Sequence, residues 1–301
     1  MILILGNGFI GEALSIALVS YGYKVKVFSR NAGKIKDVDY RTGDWNSIDT
    51  HQDFFEDVRL VIQTIHTSVP FSSMHNILED ASNNILPNIK LLEILKEKKI
   101  NHSIFISSGG AVYGTPNETP VKEVSLTNPI SAYGVSKNCI ENYINLYNFH
   151  HGLDMTIVRP SNIYGIGQDS KKKQGVISHL VSSIQNQIPF KLWGDGEGKK
   201  DYLYINDFVD ALIKLIKNPP STPKVYNISG GSEYTVNELI SKVESAYDAS
   251  ISKEYLPHQS FDVPSIILNG NKFKSEYNWE PKLTIDEGIQ LIIESSNECP
   301  K

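Results

Sequence analysis

Residues 2–5, Ile-Leu-Ile-Leu, form an unbroken apolar run that stops at Gly6. Its length and branched side chains suit a buried central strand. Phe9, Ile10, Ala13, Leu14, Ala17 and Leu18 then recur at helical spacing, so a strand passes directly into a helix. The pattern repeats. Alternation at 24–28 predicts a second strand, 37–44 a short third, 60–65 a fourth, 103–107 a fifth and 153–159 a sixth. Between them, Ile85, Ile89, Leu92 and Leu95 mark one stripe of a helix over 81–98, and a second long helix is predicted over 132–151. Lys96, Lys98 and Lys99 sit where positive charge suits the carboxyl end of a helix. Strands alternating with helices predict an α/β fold with a doubly wound parallel Rossmann sheet.

After Pro160 the pattern loosens. A polar loop over 162–175 precedes a helix at 176–187, an apolar strand at 190–193 and the turn Gly194-Asp195-Gly196-Glu197-Gly198. A strand at 202–205 and a helix at 207–217 are expected to rejoin the sheet. Thr235-Val-Asn-Glu238 and Thr284-Ile-Asp-Glu287 match the capping box, so helices should begin there. The expected division is a dinucleotide-binding domain over 1–165, rejoined by 201–230, and a smaller mixed substrate-binding region over 166–200 and 231–301.

The glycines at the first junction carry chemistry. Gly6-Asn7-Gly8-Phe9-Ile10-Gly11 matches G-x-G-x-x-G: Gly6 permits the tight turn, Gly8 lets backbone amides approach a pyrophosphate, and Gly11 lets helix lie close to strand. A ligand-free glycine turn is the alternative, and the position directly after an apolar strand argues against it. At the end of the second strand, Ser29-Arg30 replaces the Asp or Glu that binds ribose hydroxyls of NAD. A hydroxyl donor beside a guanidinium favours a 2′-phosphate, so NADP is the expected cofactor and NAD the alternative.

Composition narrows the classes. The 301 residues are 40% apolar, enough for a sizeable core, and 29 basic against 34 acidic side chains leave a formal charge of −5. Lys171-Lys172-Lys173 is too short to imply a nucleic-acid surface. The absence of a membrane-length apolar stretch, and an N-terminus that reads as a strand, lead to the expectation of a cytoplasmic chain with no membrane partner. Cys139 and Cys299 lie far apart, which suits structural thiols and offers no metal-ligand spacing.

Ser107-Ser108-Gly109-Gly110-Ala111-Val112-Tyr113-Gly114 follows the fifth strand, and Tyr133-Gly-Val-Ser-Lys137 opens the long helix, where residues four apart share a face. With Gly6-x-Gly8-x-x-Gly11, Arg159-Pro160-Ser161-Asn162, Asp201-Tyr202 and Asp262-Val263-Pro264, these motifs resemble the extended short-chain dehydrogenase/reductase family, specifically its nucleotide-sugar epimerases, dehydratases and 4-ketoreductases. The resemblance covers nearly the whole chain in order.

It implies that Tyr133 is the general acid or base at a sugar hydroxyl or carbonyl, with Lys137 binding the nicotinamide ribose and lowering the phenol's pKa. Bringing a phenol from about 10 to near 7 takes about 4 kcal/mol, which a neighbouring ammonium and an oxidised nicotinamide would supply together. By the same resemblance Asn7, Phe9, Ile10, Ser29, Arg30, Asp44, Trp45, Ile65, Ser107 and Arg159 join the cofactor set. Ser108, Gly109, Asn162, Gln174, Gly175, Leu192, Lys200 and Gln259 join the substrate set. Phe190, Leu192 and Trp193 resemble the segment beside the nucleobase and equally read as a core strand.

Three positions depart from the family pattern. Gly109 stands where relatives commonly carry Ser or Thr, and a missing donor there costs about a hundredfold in rate, so Ser108 is the candidate substitute. Lys200 replaces an Arg and loses its bidentate fork. Gln259 replaces a charged Arg, with His258 as a possible aid at the diphosphate. The leading expectation is an NADP-linked reductase delivering hydride to C4 of a nucleoside-diphosphate 4-keto-hexose. The alternatives are an NAD-holding nucleotide-sugar 4-epimerase and a non-catalytic dinucleotide-binding protein. A homodimer built on the helices at 81–98 and 132–151 is the family expectation.

Overall fold

The structure, a computed structural model, describes residues 1–100, 102–169 and 175–298, with residues 297 and 298 described by backbone only. Gln174, Lys171-Lys172-Lys173 and Cys299 lie outside the described residues.

β1 (Ile2–Leu5) stands near the middle of a seven-stranded sheet with β2 (Val25–Ser29), β3 (Val38–Thr42), β4 (Leu60–Gln63), β5 (His102–Ile106), β6 (Asp154–Pro160) and β10 (Val225–Ile228). The order is β10-β6-β5-β4-β1-β2-β3, and every pairing is parallel. Because both faces are covered, β1 has no polar side: Ile2 and Ile4 join the core on one face, Leu3 and Leu5 that on the other. α1 (Phe9–Ser20) and α7 (Ile205–Lys217) cover the first face. α3 (Ile77–Lys98) and α5 (Ala132–His151) cover the second. Two short helices, α2 (Pro70–Ser73) and α4 (Gly109–Val112), lead into α3 and out of β5.

The remaining elements are β7 (Asn162–Tyr164), α6 (Val176–Asn186), β8 (Phe190–Trp193), β9 (Lys200–Tyr204), β11 (Glu233–Tyr234), α8 (Val236–Tyr247), β12 (Lys253–Leu256), α9 (Asn271–Tyr277) and α10 (Ile285–Glu298). They build a three-stranded sheet β11-β9-β7 and a parallel pair β12-β8. The strand expected to rejoin the large sheet at 202–205 pairs instead with β7 and β11; the strand that returns is β10. Asp201 and Tyr202 thereby stand beside Asn162.

Both capping boxes form. Thr235 Oγ1 accepts from the Glu238 amide at 3.0 Å and Glu238 accepts from the Thr235 amide at 2.7 Å; Thr284 and Glu287 repeat the exchange. α5 starts where Ser131 Oγ accepts from the Gly134 amide at 3.2 Å, and ends at Gly152 with φ +66. That cap sets Tyr133 in the first turn and Lys137 one turn later.

Candidate active site

The junction after β1 has the geometry of a phosphate cradle. Gly6 lies at φ +114, and a Cβ on Gly11 would come within 1.9 Å of the Gly6 carbonyl oxygen, so neither position tolerates a side chain. Gly8 faces open space and caps α1 without any side-chain partner, leaving the first-turn amides of Phe9, Ile10 and Gly11 at a helix amino end. Asn7 Oδ1 is buried and unpartnered beside them. Thr64 Oγ1 donates to the Leu5 carbonyl at 2.8 Å and locks the loop against the end of β4. An orphaned polar atom, free amides and a surface open at Gly8 fit a dinucleotide pyrophosphate.

Tyr133 is 9% exposed. Its amide donates to Ser73 Oγ at 3.0 Å, and Ser108 stands next to its phenol. Ser108 sits at the amino cap of α4 without bonding that helix, which frees its hydroxyl for the phenol. Lys137 Nζ donates to the Ile106 carbonyl at 2.7 Å and lies 6.0 Å from the Tyr133 ring centroid. The strand end of β5 and the first two turns of α5 thus converge as the resemblance implied. The direction of the phenol's shift differs from that expectation: burial pushes Tyr133 up to about 12, opposed by Ser108 and reinforced by Asp80. Burial pushes Lys137 down to about 7, against the pull of Glu141 and Asp80. The chain's own groups therefore hold both residues toward neutrality.

The hydroxyl missing at position 109 has a steric cause. A Cβ on Gly109 would meet Leu268 Cδ1 at 2.3 Å and the Pro160 carbonyl at 3.1 Å. Leu268 fills the space, so Gly109→Ser is expected to lower activity severalfold or more instead of restoring a donor, with partial recovery when Leu268→Ala is added; steady-state kcat of the single and double variants checks this.

Several expected contacts are spent elsewhere. Arg159 is 6% exposed, forks onto Glu141 at 2.5–3.2 Å and donates to Tyr113 Oη at 2.8 Å. Ser107 Oγ donates to the same carboxylate at 2.5 Å. Both were expected at the cofactor, and their side chains instead tie β5 and β6 to α5. Trp45 and Leu192, at 3% and 1% exposure, are core; the core-strand reading of β8 holds for Leu192 because Lys191 and Trp193 take the outward face. Asp44 caps the 3-10 segment Trp45–Phe55 through the Asn46 amide. Ser29 Oγ donates to the Asn31 carbonyl at 2.6 Å, leaving Arg30, exposed, as the outward group at that strand end. Ile65 lies half-buried beside Gly6.

On the substrate side, Asn162 Nδ2 donates to the Asp201 carbonyl at 3.0 Å, with its Oδ1 turned toward Gly110. Gly175 caps α6 at φ +96. Lys200 Nζ pairs with Asp262 at 2.6 Å, and Gln259 donates to the Pro257 carbonyl at 3.3 Å. Trp193 and Phe261 each lie 6.1 Å from Phe71 of α2, so aromatic side chains from three separate segments meet there. Among the described residues no cluster of His, Cys, Asp or Glu is arranged to hold a metal ion, and no helix is long and apolar enough to cross a membrane.

The profile of the NAD dependent epimerase/dehydratase family matches residues 2–229. The chain belongs to this family. A Methanocaldococcus jannaschii protein provisionally named UDP-glucose 4-epimerase is 33% identical over 97% of each chain. An Escherichia coli dTDP-4-dehydro-6-deoxyglucose reductase is 32% identical over 79% of this chain and 75% of its own. Among solved structures, the Thermotoga maritima UDP-glucose 4-epimerase with UDP-glucose superposes with a TM-score of 0.92 at 28% identity, covering 99% and 98% of the two chains. The Thermus thermophilus UDP-glucose 4-epimerase with NAD does so at 0.91 and 26%, covering 97% of each. This epimerase/dehydratase chain is thus a nucleotide-sugar enzyme of the extended short-chain dehydrogenase/reductase group.

One site residue of this family member escaped the sequence reading. His66, just past β4, places its ring 4.5 Å from that of Tyr133 at 73°. Its Nε2 is 3.7 Å from Asp80 Oδ1, and neither ring nitrogen has a hydrogen-bond partner. A histidine just beyond the carboxyl end of a parallel strand, where open α/β sheets bind ligands, was the available signal. Burial and the Lys137 charge push His66 down to about 4, against Asp80. A base with a depressed folded pKa stays neutral while the unfolded chain takes up a proton. Stability is therefore expected to fall as pH drops from about 6.5 to about 4, by on the order of 3 kcal/mol from this residue. Urea unfolding of the wild type and His66→Phe across that range checks it: the variant should lose less.

Proposed function

We propose that this chain is a nucleotide-sugar 4-epimerase acting on a UDP-hexose, with Tyr133 as the acid–base. The observation that carries the proposal is the buried Tyr133 phenol beside Ser108 and one helical turn from Lys137, whose ammonium is held by the end of β5 close to the glycine loop. Epimerase names on relatives that span nearly the full length add support. When bound, the nicotinamide supplies reversible hydride exchange at the sugar carbon. Tyr133 takes the proton of the 4-hydroxyl and returns it, Ser108 donates to the reacting oxygen, and Lys137 holds the ribose. The amides of Phe9, Ile10 and Gly11 hold the pyrophosphate. Lys200 and Trp193, from the region expected over 166–200 and 231–301, and Asn162, just before it, line the side where the nucleoside diphosphate would rest.

A second reading rests on Arg30. With no carboxylate at the end of β2, a 2′-phosphate is accepted there, which suits NADP and a 4-ketoreductase like the E. coli relative. One experiment separates the two. Purified protein is incubated with UDP-glucose, and separately with a dTDP-4-keto-6-deoxyhexose plus NADPH. UDP-galactose formed without net nicotinamide turnover supports the epimerase; stoichiometric NADPH oxidation with the keto sugar supports the reductase. Leu86 and Phe149, 57% and 84% exposed on α3 and α5, suit a homodimer with a helical interface.

A further inference from the structure

We propose that His66 and Asp80 form a positioning pair behind Tyr133, setting the orientation of its phenol and the electric field in which it ionises. The inference rests on the acid–base role of Tyr133 and adds two residues to that site.

The geometry is that of a wedge. His66 sits in the loop after β4, and that loop is pinned at each turn. Gln63 Nε2 donates to the Ile65 carbonyl at 3.1 Å and to Asn88 Oδ1 at 2.8 Å, while the Thr67 amide donates to Asn84 Oδ1 at 2.8 Å. Two residues earlier, Thr64 locks the glycine loop. The same short segment therefore fixes both the proposed cofactor cradle and the imidazole against the phenol ring. With its side chain 6% exposed, His66 stays where this loop puts it.

Asp80 supplies the charge. It is 3% exposed on the first turn of α3 and accepts from Ser136 Oγ of α5 at 2.5 Å, from Ser68 Oγ, and from Asn84 Nδ2 at 3.2 Å. Ser136 ties this carboxylate to the same helical turn that carries Tyr133 and Lys137. The groups facing His66 are thus Asp80 from α3 and Tyr133 and Lys137 from α5, with Ser68 on its own loop. A carboxylate near a phenol opposes its ionisation, and a polar imidazole 3.7 Å from that carboxylate weakens the opposition. A hydrophobic core histidine would need no acidic neighbour, and a purely structural Asp80 would need no imidazole, since its serines already satisfy it. Their meeting at the back of Tyr133 gives each a role.

The test uses His66→Phe, which keeps a ring against Tyr133 but loses the N–H, Asp80→Asn, which keeps the shape and loses the charge, and His66→Ala, which loses the wedge. The pH dependence of kcat/KM is measured for each with UDP-glucose, or with the dTDP-4-keto-6-deoxyhexose and NADPH if that pair is turned over instead, alongside wild type and Tyr133→Phe. His66→Phe is expected to move the ionisation governing kcat/KM upward and Asp80→Asn downward, each by about half a unit or more. His66→Ala should lower kcat about tenfold or more with KM little changed, because the phenol loses its backing. Thermal unfolding monitors folding, and His66→Leu replaces either His66 variant, or Asp80→Ser replaces Asp80→Asn, where one fails to fold. Profiles coincident with wild type, or shifts of the same sign, overturn the pair. Retained turnover in Tyr133→Phe overturns the acid–base reading instead, whatever the His66 variants do.

Discussion

Tyr133→Phe is expected to lose about a thousandfold in kcat while folding normally and keeping its affinity for the dinucleotide. The phenyl ring preserves the contact with His66, and the Tyr133 amide still donates to Ser73, so the first turn of α5 stays in place. Only the hydroxyl is removed. A positioned general acid or base contributes about a hundred- to ten-thousandfold. The Ser108 hydroxyl is half-buried and can turn to water, so the stability change should be within about 1 kcal/mol. Single-turnover rates with cofactor content and melting temperature measured on the same preparation check this. A variant within tenfold of wild type would sink the assignment of Tyr133.

The largest stability effect is expected at Arg159. Arg159→Met should destabilise the fold by about 3–5 kcal/mol, since it leaves Glu141, at 2% exposure, as a buried charge whose remaining hydrogen-bond partner among the described residues is Ser107. The loss extends further: Arg159 also donates to the Tyr113 hydroxyl, which in turn donates to Asn227 Oδ1 at 2.7 Å in the neighbouring strand β10. That chain of bonds joins β10, β6 and α5. Against a total stability of about 5–15 kcal/mol, the change should be visible as a large shift of the urea midpoint. Adding Glu141→Leu removes the stranded charge and should recover part of the loss, which distinguishes an ion-pair effect from lost packing. If Arg159 instead held the cofactor, the single variant would weaken dinucleotide binding at unchanged stability.

The contrast between these two residues shows what sequence patterns carry. Tyr133 and Lys137 were legible because their spacing within one helix, and the strand motif with Ser108 before it, are local features. Arg159 stood in an equally recognisable motif, yet its partner Glu141 is eighteen residues away on another element. No periodicity encodes that approach. Leu192 and Trp45 illustrate the same limit: an apolar side chain reads alike whether its neighbour is a ligand or the core.

Gly109 and His66 mark the opposite case. The departure at 109 was visible, but its cause, the Leu268 side chain, arrives from a segment more than 150 residues later. His66 drew no attention because a lone histidine after a strand has no spacing to measure.

From sequence alone came the alternating strand–helix order, the glycine loop, the caps of α8 and α10, and the pairing of Tyr133 with Lys137. All of these depend on neighbours within a few turns, where backbone geometry fixes who meets whom. Only the tertiary structure decided that β10 and not the 202–205 strand closes the sheet, that Arg159 belongs to Glu141, and that His66 and Asp80 stand behind the phenol. Those outcomes depend on burial and on contacts between distant elements, and it is dense packing around a shared core that sets them.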